Sequence, residues 1–142
     1  TIDEIAASVF IERIRTNNLD SILNVGKTQS NLMPLLYKKS DALLFPSLLE
    51  SYGLPYIEAM AFEKPILTSN LDFAHAICED IAFYFDPFDA ESILKVMIEF
   101  DSDKEELKNK IINGRKKATT LPDWESVFGS FEEQIEILLN KK

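Results

Sequence analysis

The stretch Asp41-Ala42-Leu43-Leu44-Phe45-Pro46-Ser47-Leu48-Leu49-Glu50-Ser51-Tyr52-Gly53-Leu54-Pro55-Tyr56-Ile57-Glu58 decides the fold. Its opening is apolar and short, as a buried strand is, and Pro46 stops it. A loop follows, carrying Gly53, one of only four glycines in the chain. Pro55 then sits in the first turn of a helix, where its missing N–H costs nothing. Strand, loop and helix in this order make half of a parallel βα unit.

The rest of the chain extends the pattern in both directions. Upstream, residues 2–16 read as a helix, with Thr1 and Glu4 at capping-box spacing. Ile22-Leu23-Asn24-Val25 reads as a short buried strand ending at Gly26. Residues 31–39 read as a short helix, with Pro34 in its first turn. Downstream, Ile66-Leu67-Thr68 and Ile81–Phe85 read as strands around a short helix at 73–78. From Asp89 the chain is helical: residues 90–101, a charged helix opened by Ser102-x-x-Glu105 and running to about Thr119, and a last helix capped by Asp123. Short apolar strands alternating with helices predict an α/β fold, with a parallel sheet of about four strands covered by helices on both faces. No internal repeat, low-complexity tract or linker interrupts 1–142, which reads as a single domain.

Composition narrows the function classes. At 142 residues with 46% apolar side chains the chain can bury a core. Net charge is −9, which argues against a nucleic-acid surface, since that needs clustered cations. Residues 1–70 hold 6 basic and 8 acidic side chains, and residues 71–142 hold 9 and 16. The excess acid therefore lies on the trailing helices and reads as a solvated face. A lone cysteine, Cys78, allows no internal disulfide and no cysteine cage, and reads as a small buried apolar residue. No apolar run approaches the roughly 20 residues of a membrane span. These features point to a reducing compartment, by default the cytoplasm.

In open α/β sheets, ligands sit beyond the carboxyl ends of the strands. The loop after Phe45 brings a glycine and then the N–H groups of a helix start to that edge. Free donors and the positive helix end suit a phosphate. Glu50 lies in the loop, and Glu58 lies one turn inside the helix. Two carboxylates beside a phosphate would repel it unless they serve another part of the ligand. Carboxylates accept well from sugar hydroxyls. Phosphate on backbone and sugar on acids describes a nucleotide sugar. Tyr52 reads first as a loop-packing residue and second as a ligand contact. Lys27, just after the first expected strand, and His75, near the ligand edge, are further candidates.

At this point the residues resemble a known family. Glu50 and Glu58, with seven residues between them, resemble the E-x7-E motif of family 4 glycosyltransferases of the GT-B fold. Ser40-Asp41 to Pro46-Ser47 is similar to that family's "ADxxxxPS" strand, Glu50-Ser51-Tyr52-Gly53-Leu54-Pro55 to "EGFGLP", and Glu58-Ala59-Met60-Ala61 to "EAMA". Pro65 to Ser69 resembles "PVVAS", Ala82 to Pro87 resembles "ALYFDP", and Trp124-Glu125 resembles a late "WE" pair. The pieces run in family order from about residue 22 to 128. The resemblance implies a Rossmann-like domain that binds a nucleoside-diphosphate sugar, with no cofactor and no metal. It places the amides of Gly53 and Leu54 on the diphosphate and Glu58 on the ribose hydroxyls, with Ser51 and Tyr52 among the donor-binding residues. It puts Glu50 on the transferred sugar, as the catalytic residue of a retaining transfer.

The resemblance has gaps. The family's early "GRL…K" cations have no match, Lys64 replaces its usual glycine, and Ser51 replaces the first glycine of "EGFG". The family's sheet has six strands in the order 3-2-1-4-5-6, and the four expected here match the last four. The chain therefore reads as part of the C-terminal domain of a two-domain enzyme whose N-terminal acceptor domain is absent. On this reading the partners are the nucleotide sugar, the missing domain, and a second copy of the chain through open sheet edges. Alternatively, strand 22–26 covers one edge by pairing beside 42–46. The fragment alone is expected to be inactive. The full enzyme is expected in the cytoplasm, and peripheral to a membrane if its acceptor is lipid-linked. Two alternatives remain: a non-catalytic fragment, and a receiver-like signalling domain. The receiver lacks support, because Phe45 stands where its phosphoacceptor Asp would be.

Overall fold

The computed structural model describes residues 4–140, which divide into two compact units meeting in sequence at Met33 and Pro34. The first unit holds helix α1 (Glu4–Thr16) and a coil that reaches a single 3-10 turn at Ser30–Leu32. The expected cap at Thr1 lies outside the described residues. α1 closes as Asn17 and Leu19 donate their N–H groups to the carbonyls of Arg13 and Ile14. Residues 22–26 form no strand. Leu23 is 83% exposed and Val25 60% exposed. Four apolar residues make a strand only where a ladder partner and a covering layer exist, and periodicity reads neither. The expected pairing of this segment beside 42–46 is therefore corrected.

The second unit runs through α2 (Met33–Lys39), β1 (Leu43–Phe45), α3 (Leu54–Ala61), β2 (Ile66–Ser69), α4 (Asp72–Cys78), β3 (Phe83–Phe85), α5 (Ala90–Glu99), α6 (Lys104–Thr120) and α7 (Trp124–Leu139). Its sheet has three parallel strands in the order β1-β2-β3, with Phe45 beside Thr68 and Ser69 beside Phe85. The fold is α/β with a Rossmann-like parallel sheet, as the sequence predicts, but with three strands in place of about four. All four residues of β2 are buried. Successive strand side chains point to opposite faces, so both faces of β2 are covered.

The core lies where α3 meets the sheet. Tyr56, Ala59 and Met60 of α3 are buried beside Ile66 and Leu67 of β2. The Tyr56 ring meets Phe45 edge to face, with centroids 5.2 Å apart. Its hydroxyl lies 2.7 Å from Thr68 Oγ1, and the Thr68 hydroxyl donates to the Phe45 carbonyl at 3.0 Å. Because the Thr68 proton is committed to Phe45, Tyr56 is the donor in its own bond.

The charged helix α6 is more than a solvated face. Gly114 is buried, and a Cβ there would meet Ile81 Cγ2 at 3.1 Å and Met60 Cγ at 3.2 Å, so its absence lets α6 approach α3 closely. Cations then tie α6 to neighbouring backbone. Lys110 donates to the carbonyls of Asp80 and Ala82, Arg115 to that of Ala61, and Lys117 pairs with Glu79 at 2.6 Å. The helix is capped by Asp103, whose carboxylate accepts from the amides of Glu105 and Glu106. Ser102, the expected cap, instead donates to Glu99 O. Asp123 caps α7 as expected, through the Ser126 amide.

Cys78 is fully buried, and burial pushes its thiol up to about 12. It is therefore expected to resist iodoacetamide at pH 8 in the folded protein and to react only in denaturant, as mass spectrometry would show. Thr68→Val leaves the buried Tyr56 hydroxyl without an acceptor and is expected to cost about 1–3 kcal/mol in urea unfolding. Adding Tyr56→Phe removes that orphan donor, so the double variant should be more stable than Thr68→Val alone.

Candidate functional site

β1 ends at Phe45, and the loop 46–53 carries the chain to α3 at the sheet's carboxyl edge. Gly53 closes the loop with φ 73° and ψ 39°. That left-handed geometry disfavours side chains, and space forbids one as well. A Cβ would lie 2.6 Å from Ile77 Cδ1 and 2.7 Å from Tyr56 Cδ2. Glycine is therefore required both by the turn and by the close approach of α4.

The start of α3 offers a defined set of donors. The Tyr56 N–H bonds back to the Gly53 carbonyl at 2.9 Å, and Pro55 has no N–H. Among the described residues, the amides of Gly53 and Leu54 donate to no protein acceptor. Two adjacent free donors at a helix N-terminus match the needs of an anionic group. The Leu54 side chain is exposed, so no apolar cover separates this end from solvent.

Glu58 lies one turn into α3, half-buried. The Tyr37 hydroxyl of α2 donates to its Oε2 at 3.0 Å. Tyr37 is 8% exposed and stacks on Phe62, with centroids 5.5 Å apart and rings 1° from parallel. Burial raises the Tyr37 phenol well above its usual range, and the neighbouring carboxylate adds to this. The phenol thus keeps its proton and stays a donor.

Glu50, also half-buried, has a looser setting. The Ser47 hydroxyl lies 3.4 Å from Glu50 Oε1 but 3.0 Å from the Leu49 carbonyl. One hydroxyl has one proton, and the nearer carbonyl is the better acceptor. The Glu50 carboxylate thus keeps its oxygens for other donors. It also lies close enough to Tyr56 to help raise that phenol, behind the larger effect of burial.

The other candidates are more scattered. Ser51 and Tyr52 are exposed, Tyr52 by 61%, so Tyr52 does not pack into the loop. Both line a shallow recess of about 270 Å³ with Ile57, Ile77, Lys117 and Leu121. His75, on α4, is exposed and stacks on Tyr84 at 3.9 Å. Its Nε2 lies 2.6 Å from Asn70 Oδ1, within hydrogen-bond distance. Lys27 lies on exposed coil of the first unit. In the sequence Tyr37 is only an apolar helix position, and nothing local signals its bond to Glu58. No spacing rule links residues 21 positions apart. Among the described residues, no group of three or more His, Cys, Asp or Glu is arranged to hold a metal ion, and no helix is long and apolar enough to cross a membrane.

Comparisons with known proteins bear on this arrangement. A family model described as glycosyl transferases group 1 matches residues 9–117. The chain is 34% identical over 73 residues to the O-antigen chain mannosyltransferase RfbU of Salmonella typhimurium, a match covering 51% of this chain and 21% of that protein. It is 33% identical over 69 residues to O-antigen chain mannosyltransferase B of Escherichia coli, covering 49% of this chain and 18% of that protein. Its fold is similar to that of sucrose-phosphate synthase from Thermosynechococcus elongatus, with TM-score 0.78 and 22% identity over 94% of this chain and 34% of that one.

The close packing around Gly53 predicts that Gly53→Ala is destabilising by about 2 kcal/mol or more, from strain at positive φ and from overpacking against Tyr56 and Ile77. Thermal unfolding followed by circular dichroism checks this. A wild-type melting temperature would show that the turn is not held as described.

Proposed function

Because this chain belongs to the glycosyl transferases group 1 family, we propose that it forms the donor-binding portion of a retaining glycosyltransferase that uses a nucleoside-diphosphate sugar. The observation that carries this reading is the pair of unpartnered amides at Gly53 and Leu54, with Glu58 one turn along the same helix. The amides and the positive end of α3 take the diphosphate. The Glu58 carboxylate takes the ribose hydroxyls. Glu50 faces the transferred sugar and stabilises the positive charge that grows at its anomeric carbon as the bond to the diphosphate breaks. In this scheme the diphosphate charge is met by backbone donors, and no metal or cofactor is required. Ser51 and Tyr52 shape the rim of the donor site, and His75 is a further donor contact.

The curated relatives are named for mannosyl transfer in O-antigen chains, so a hexose, with mannose first, is the sugar to try. The acceptor is then a growing glycan, lipid-linked or other, met on the cytoplasmic side of a membrane. The matched stretches span about a fifth of those relatives. The acceptor site and any further diphosphate-binding cations are assigned to the remainder of such an enzyme, which also covers the open edge of β1. The chain on its own is then a donor binder without turnover. The receiver-like alternative has nothing in the family match to favour it.

Calorimetry with UDP and GDP tests the assignment. At least one of them should bind, and Glu58→Ala should weaken that binding by about tenfold or more, the worth of charged hydrogen bonds to a sugar. Affinity indifferent to Glu58→Ala would remove Glu58 from the site.

A further inference from the structure

We infer that Tyr37 is a positioning residue that presets the Glu58 carboxylate for one face of the ribose. This rests on the donor-site reading above and deepens it. The Tyr37 hydroxyl has a single proton and two acceptors in view, Glu58 Oε2 at 3.0 Å and the Pro55 carbonyl at 3.4 Å. The nearer and charged oxygen takes the proton. Oε2 is thereby anchored, and the carboxylate plane is fixed about its last torsion, which is otherwise broad. Oε1 and the second lone pair of Oε2 remain for a diol.

The anchor is itself rigid. Tyr37 is buried, and its ring lies flat on Phe62, just past the end of α3. Tyr37 and Glu58 thus belong to two helices joined by this stack. A flexible glutamate would lose side-chain freedom on binding a ribose, and this one has already lost it on folding. Pre-orientation of this kind raises affinity for the ribose without any contact between Tyr37 and ligand. The phenol stays protonated because burial holds it up, so the anchor persists across the neutral range.

The test compares UDP and GDP with their 2′,3′-dideoxy counterparts, by calorimetry, on wild type, Tyr37→Phe and Glu58→Ala. Tyr37→Phe keeps the ring stacked on Phe62 and removes only the hydroxyl, and unchanged far-ultraviolet dichroism checks the fold. Wild type should prefer the ribose form. Tyr37→Phe should bind the dideoxy form as wild type does and the ribose form about tenfold less tightly, the scale of one hydrogen bond to a charged group. Glu58→Ala should have no preference. Full ribose preference in Tyr37→Phe, with none in Glu58→Ala, would overturn the role of Tyr37 and leave the donor site standing. Equal weakening of both forms by Tyr37→Phe would also overturn it, since a merely structural tyrosine acts that way. Wild type with no ribose preference, or Glu58→Ala retaining it, would overturn the donor-site reading and this inference together.

Discussion

The hydrogen-bond relay from Tyr56 through Thr68 to the carbonyl of Phe45 fixes where α3 begins relative to the sheet. A buried hydroxyl without a partner is costly, so the relay admits one placement of α3. That placement presses the Tyr56 ring against the position where Gly53 would carry a Cβ, and Ile77 of α4 closes it from the other side. The loop must then turn through a left-handed residue before the helix can start. The two amides left over at the turn are a by-product of this packing. The amides proposed to hold an anion are therefore set by the same contacts that hold the core.

The carboxylates differ in how tightly they are held. Glu58 is oriented by Tyr37, which is buried and stacked. Glu50 is on the loop, beside a Ser47 hydroxyl that prefers a carbonyl. The contrast fits the division of labour proposed for them. A group that recognises a fixed sugar gains from rigidity. A group that meets charge developing during bond cleavage must follow a moving centre. The polar helix α6 packs behind α3, the helix that carries Glu58. Gly114 lets it approach α3, and Lys110 and Arg115 tie it to backbone carbonyls of the neighbouring segments.

Much of this was legible in the amino-acid sequence. The run from Asp41 to Glu58 carries its strand, turn and helix start in local chemistry: apolar residues, a proline stop, a glycine and a proline in the first helical turn. The strands expected at 66–68 and 81–85, and found at 66–69 and 83–85, were legible for the same reason, because buried parallel strands are short and continuously apolar. Residues 22–26 look alike in composition but lack a ladder partner, and strand formation depends on partners that lie elsewhere in the chain. The capping change from Ser102 to Asp103 is a one-residue matter, decided by which side chain reaches two amides at once. Tyr37, Thr68 and the His75–Tyr84 stack depend on contacts between distant segments. No periodicity encodes those.

The proposed donor site requires that the Gly53–Leu54 amides receive the diphosphate of a donor nucleotide. Amide-detected NMR during titration with UDP and with GDP tests it most directly. At least one nucleotide should shift Gly53 and Leu54 most strongly, with Glu58 among the next. Saturable shifts centred elsewhere, with Gly53 and Leu54 unmoved, would contradict it.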